Sequence, residues 1–502
     1  MWRLFALVFF IHMLQCKGSD ALYDPPGGKG FWAHKITPGS TAYDFYRVTA
    51  MYVGGSQNTS VYLDTAPRPA GAPDVQQSSI DQLITVFENA ILPVEHTWYT
   101  TPVDVNQDGK VILLLLDIQD GYTPGSASGY VGGYFYGINQ YSDSSVNAYN
   151  SNYHSNYAEM LYLDTYPSDI TSTPFDATAA HEYQHLLQFS KSYREGIALE
   201  PAWVDEGLAE ITSDLTGFGP QTTRASYFSY SLTNSTSLVN FQSVNGSSLL
   251  DNYSMVYMYF KYLADVYGQG GISTIFNESR LGYDGVNQAL AVLDPTLTGL
   301  ANCGTTTGLT YTFFQCSYRY FWGALVNQAI GDVVTGVQVR YNIATDFSQL
   351  TTSSLYPYRF RTDNATFANA LQTARSSGSY TLSLSTSALG SFSARLFQNA
   401  AANLAPTQFT ACTLCALTMV IGNKYTAVFN HDYDPVATHG ANVFDTRLLS
   451  SINADSTVLI DPIPITTSGV LQPLHVRFEI SPPFHDHLRK HAENDRKKMR
   501  LK

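Results

Sequence analysis

Charge is scarce in this 502-residue chain: Asp, Glu, Lys and Arg make up only 14%, and acids outnumber bases to leave a net charge of −13. So few cations cannot neutralise a polyanion, and neither a phosphate-binding loop nor a basic face occurs. Nucleic-acid and nucleotide roles are therefore excluded. Long apolar runs are missing too: outside the first residues no stretch is apolar enough to cross a bilayer. Cysteine is limited to five residues, and there is no internal repeat. In their place stand 35 Tyr and 27 Phe among abundant Ser, Thr and Asn, a polar but uncharged style common in exported proteins. The length allows about two to four domains and an ample core.

The first 16 residues read as an export signal. Arg3 supplies the positive end, and residues 4–14 form an apolar run interrupted only by His12, too short for a permanent span. A signal peptide over 1–18 and secretion follow. Lipid anchoring at Cys16 is the alternative address, although Met13-Leu14-Gln15-Cys16 is a poor lipidation site. Without Cys16 four cysteines remain, and an even count in an exported chain suggests disulfides. The economical pairs are Cys303 with Cys316 and Cys412 with Cys415.

Residues 19–79 read as an N-terminal β-rich region, opening with an extended Gly/Pro-rich arm over 19–36. Apolar positions at 80, 83, 84, 87, 91 and 92 predict a helix over 80–94, the start of a domain running to 369. Residues 121–157, rich in Gly, Ser, Asn and Tyr, read as a long loop, 160–163 as a strand and 252–267 as a helix. From about 370 the alternation Tyr380-Thr381-Leu382-Ser383-Leu384-Ser385 marks an all-β, sandwich-like module over 370–484. The tail 485–502 is basic, with seven Lys/Arg against three Asp/Glu, and is expected to be solvated and disordered.

Chemistry concentrates at Asp176-Ala177-Thr178-Ala179-Ala180-His181-Glu182-Tyr183-Gln184-His185. Thr173 can cap a helix here, with Pro174 in its first turn and alanines favouring its continuation. Imidazoles four residues apart share one helix face, so His181 and His185 can reach one ion, and Glu182 between them can take a proton from water on that ion. Downstream, Trp203, Val204, Leu208, Ile211 and Leu215 recur at helical spacing, and Gly217, Gly219 and Pro220 end the segment. Glu206 on this second helix would complete a His/His/Glu set for Zn²⁺, leaving the fourth position to water. Glu210, four residues on, would accept a hydrogen bond from the non-ligating nitrogen of one histidine, with Asp214 in reserve. Asp205 reads as a supporting or solvated residue.

A second pattern, Asp104-x-Asn106-x-Asp108-Gly109, resembles the opening of a Ca²⁺ loop. Its twelfth position is Leu115, so an acid from elsewhere, Asp117 or Asp120, would have to complete it. The competing reading is a polar turn before a strand.

His181-Glu182-x-x-His185 followed by Trp203-Val204-Asp205-Glu206-Gly207-Leu208-Ala209-Glu210 resembles a gluzincin metallopeptidase. The form His-Glu-Tyr-Gln-His-Leu-Leu-Gln-Phe is similar to the hyicolysin family, a likeness covering about residues 40 to 265. The resemblance implies an α+β, gluzincin-like domain and a secreted zinc endopeptidase acting on protein or peptide substrates. It also implies a tyrosine on a later helix, Tyr253 by position, that holds the oxyanion, and a strand at 160–163 bordering the cleft and pairing with extended substrate. The alternatives are an exported zinc hydrolase of non-peptide amides or esters, and a non-catalytic adhesin or binding protein on a peptidase fold.

Overall fold

The computed structural model describes residues 28–299, except 38–39, 42, 125–128 and much of 226–246. It also describes parts of 312–321, the strands between Phe360 and His475, and a helix over 484–490. The signal over 1–18, Cys303 and Cys412 lie outside the described residues.

The architecture is mixed α+β, organised on a seven-stranded sheet. Strands β1 (Lys29–His34), β2 (Phe45–Gly55) and β3 (Thr59–Asp64) form an antiparallel meander. β3 pairs in parallel with β4 (Val111–Leu116), which pairs in parallel with β6 (Met160–Asp164). β5 (Tyr130–Phe135) runs antiparallel to β6, and the strand Pro473–His475 closes the far edge in parallel with β5. β4, β5 and β6 are buried along their whole lengths, as sheet centres covered on both faces must be.

Several expectations shift. The Gly/Pro-rich arm contains β1, held from the side by Asn156, whose side chain accepts from the Trp32 N–H and donates to the Trp32 carbonyl. The N-terminal strands thus belong to the same sheet as β4–β6. The helix expected over 80–94 extends further, as α1 (Gln77–Val86), a π-helical turn (Phe87–Ile91) and α2 (Leu92–Trp98). The widened turn falls just before Pro93, which has no N–H to donate to the preceding turn. The stretch read as a long loop holds β5, a 3₁₀ turn and α3 (Asp143–Tyr149). Because β6 is hydrogen-bonded on one side to β4 and on the other to β5, it has no free edge for an extended substrate, contrary to expectation.

Helices α4 (Thr173–Glu195) and α5 (Ala202–Leu215) carry the motif, followed by α6 (Ser247–Asn277), broken at Gly268, and α7 (Gly282–Leu293). The cap of α4 is Ser172 rather than Thr173: its hydroxyl accepts from the Phe175 N–H, and Pro174 sits one place deeper in the first turn. Gly196 ends α4 with φ of 67°, the left-handed conformation glycine tolerates best.

Between Phe360 and Val458 the described residues contain strands only. Ser391–Gln398 pairs antiparallel with Gln408–Thr410 and with Lys424–Asp432, and Phe367–Thr373 joins Lys424–Asp432 to Thr457–Val458. The basic tail departs from its expected disorder over 484–490, which is helical, with Phe484, His485 and Leu488 buried.

Candidate metal centre

Three donor atoms from two helices meet at one point. His181 Nε2 and His185 Nε2, one turn apart on α4, lie 3.1 Å from each other. Glu206 Oε2 on α5 lies 3.2 Å from the first and 3.4 Å from the second. A tetrahedral ion bonded at about 2.0–2.1 Å requires ligand separations of about 3.3–3.4 Å, so this triangle matches one face of such a tetrahedron. Two imidazoles and one carboxylate are also the donor types that suit Zn²⁺. The residues present therefore fit zinc, and His181, His185 and Glu206 would hold it.

Packing fixes these donors. Trp203, Val204, Leu208 and Ile211 bury one side of α5. Gly207 lets α6 approach closely: a Cβ there would lie 2.3 Å from the Phe260 ring. α6 thereby brings the Tyr253 hydroxyl to 3.5 Å from the second Glu206 oxygen, Oε1. Burial, with Glu206, Glu210 and Glu182 nearby, pushes the Tyr253 phenol well above its ordinary value, so it keeps a proton to donate.

Each histidine has an acid behind it. His185 Nδ1 lies 3.2 Å from Asp205 Oδ1, which makes Asp205 a support for that ring rather than a solvated residue. His181 Nδ1 lies 3.8 Å from Glu210 Oε1. Glu210 is gripped by Arg224, with Nε 2.9 Å from Oε2 and Nη2 2.8 Å from Oε1, and by Gln221 Nε2 at 2.8 Å. Asp214, the reserve candidate, instead pairs with Lys261 at 3.2 Å and accepts from the Tyr257 hydroxyl at 3.1 Å. Burial alone would depress both imidazoles. His181 is driven well down by it, whereas the Asp205 and Glu206 carboxylates outweigh it at His185 and raise that ring well above its ordinary value. The carboxylates that favour a proton on His185 equally favour a divalent cation there.

Glu182 does not join the triangle. Its carboxyl is buried against β5, where it accepts from the Phe135 backbone, and burial pushes it up to about 8. The close approach depends on Gly133, where a Cβ would lie 3.2 Å from Glu182 Cγ and 2.9 Å from Thr178 Cγ2. Sequence reading did not single out Arg224 or Gln221. It also passed over Glu95 of α2, a wholly buried acid that burial pushes well above its ordinary value, partly offset by the His185 charge. No spacing rule links these residues to the motif.

No protein-family model matches the chain. Over 194 residues it is 32% identical to a protein described as neutral metalloprotease ShpI of Staphylococcus hyicus. The match takes in 36% of this chain and spans 40% of that protein's length. Among the described residues no helix is long and apolar enough to cross a membrane.

Proposed function

We propose that the chain is a secreted zinc metallopeptidase of gluzincin type, related to the hyicolysin family, that cleaves peptide bonds by water attack. The convergence of His181 Nε2, His185 Nε2 and Glu206 Oε2 within 3.1–3.4 Å carries this reading. The likeness to a neutral metalloprotease supports a peptide as substrate.

Zinc, when bound, supplies a positive centre that acidifies water and polarises a carbonyl. Glu182 takes the proton from the attacking water and delivers it to the departing amine. A carboxyl held near neutrality by burial is suited to both transfers, and a neighbouring cation brings it into its basic form. Asp205 and Glu210 orient the imidazoles, Arg224 and Gln221 hold Glu210, and Tyr253 orients Glu206 from its far oxygen. Tyr253 thus acts on the ligand carboxylate in this reading, rather than on the oxyanion. Pairing of Cys303 with Cys316 and of Cys412 with Cys415 fits the proposed export.

Glu182→Gln should retain zinc by metal analysis while casein digestion falls by about 10²–10⁴-fold or more. His185→Ala should lose zinc and digestion together. Cleavage at the wild-type rate by the first variant, or one tight zinc in a folded second variant, overturns the assignment. Mass spectrometry of the digest separates peptidase from non-peptide hydrolase.

A further inference from the structure

Among the described residues a second group of three acids lies close enough to share an ion: Asp104, Asp108 and Glu159, with one carboxylate oxygen from each mutually within 4.8 Å. We propose that Asp104, Asn106, Asp108 and Glu159 form a Ca²⁺ site that ties the loop before β4 to the start of β6. The observation that carries this is Glu159. Its side chain is 1% exposed, Oε1 accepts from the Val105 N–H at 2.7 Å, and Oε2 is buried with no hydrogen-bond partner. A buried carboxylate oxygen left so, on a group brought this close to two further carboxylates, is costly unless a cation stands between them.

The loop is already folded for such a cation. Asp104 Oδ1 and Asn106 Oδ1 each accept from the Asp108 N–H at 3.1 Å, and Asp108 Oδ1 accepts from the Lys110 N–H at 2.8 Å. Gln107 and Gly109 take φ of 62° and 68°, left-handed conformations that turn the chain back on itself, and Asn106 Nδ2 donates to Asp108 Oδ2 at 3.0 Å. Among the described residues no Lys or Arg side chain pairs with any of the three acids. Lys110, the cation nearest in sequence, donates from Nζ to the Ser56 carbonyl.

The missing twelfth-position acid comes from another element. The Glu159 carbonyl accepts from the Ile112 N–H at 2.7 Å, placing Glu159 at the N-terminal end of the β4–β6 pair. Asp117 follows the C-terminal end of the six-residue β4, about 20 Å away by strand rise, so neither it nor Asp120 can fill the role expected of them. An all-oxygen, mostly anionic donor set selects a hard cation, and the exposed sides of Asp104 and Asp108 leave room for the waters a six- to eight-oxygen Ca²⁺ shell contains.

The test uses the full chain with its zinc content monitored, in calcium-free buffer and after addition of CaCl₂. Wild type should bind Ca²⁺ by calorimetric titration, and its Tm should rise by about 5 °C or more at concentrations about a hundredfold above Kd. Glu159→Gln, which keeps the shape of the side chain, should bind at least tenfold more weakly and lose about half of the shift or more at the same Ca²⁺ concentration. Asp108→Asn should do the same from the exposed side, which covers any folding defect in the first variant. Zinc content should not change in any arm, so failure here leaves the peptidase reading standing. A wild type whose Tm ignores Ca²⁺, a Glu159→Gln protein that responds like wild type, or an equal response to Mg²⁺ overturns the proposal.

Discussion

At the scale of single residues, the candidate metal centre rests on a chain of contacts ending at Arg224. Its guanidinium forks onto Glu210, and Glu210 stands 3.8 Å behind His181. Arg224→Met would strand a buried carboxylate beside His181. It should lower stability by about 3–5 kcal/mol in denaturant titration. Adding Glu210→Gln to the same protein should recover most of that loss, since the stranded charge is gone. The convergence of His181, His185 and Glu206 was legible because imidazoles four apart share a helix face and Glu206 opens the next amphipathic segment. Arg224 was not, because it lies beyond the end of α5 and only the folded chain turns it back onto Glu210. Asp205 was ambiguous for a related reason: spacing says which face a residue occupies, not which neighbour meets it there.

Among elements, α4 and α5 could be read from sequence while β5 could not. Helix periodicity survives burial on one side, but Tyr130-Val131-Gly132-Gly133-Tyr134-Phe135 is buried along its length and carries a glycine, Gly133, where α4 presses against it. Local propensity there points to a loop, and tertiary packing overrides it. The π-helical turn before Pro93 escaped notice similarly, since hydrophobic spacing across it still resembles one helix. Close approach of helices also decides the next expectation. Gly207→Ala would drive a methyl group into the Phe260 ring and push α6 away from α5. Overpacking of this kind costs about 1–3 kcal/mol. Because α6 carries Tyr253, the variant should also weaken zinc retention in a chelator competition, whereas a purely structural lesion would lower Tm and leave zinc affinity unchanged.

Over the whole molecule, widely separated segments complete one sheet. Residues 473–475 cover the edge of β5, and the 484–490 helix sits against the same region: Phe484 stacks on Tyr149 with centroids 4.2 Å apart. Arg489 Nη1 donates to the Gly196 carbonyl at 2.6 Å, at the end of α4 where a cation suits the helix dipole. A variant ending at residue 470 should therefore lose about 5 °C or more of Tm and scatter light on standing, because an unpaired, fully apolar strand edge becomes available for association. Composition placed 473–475 in the C-terminal β module and marked only 485–502 as a basic, solvated tail, whereas Pro473–His475 joins the seven-stranded sheet. The described residues of both pieces depend on partners far away in sequence, which no local pattern records.

That seam also sets an order of events. Ser145 and His487 touch across a sequence separation of 342, so their meeting closes a very large loop. Contacts of such range form late in folding. Until residues 473–490 have emerged and come home, the strand beside Glu182 stays open along one side. A nascent chain would then pass through a sticky, half-sealed stage, during which assistance from a chaperone or rapid export would matter most.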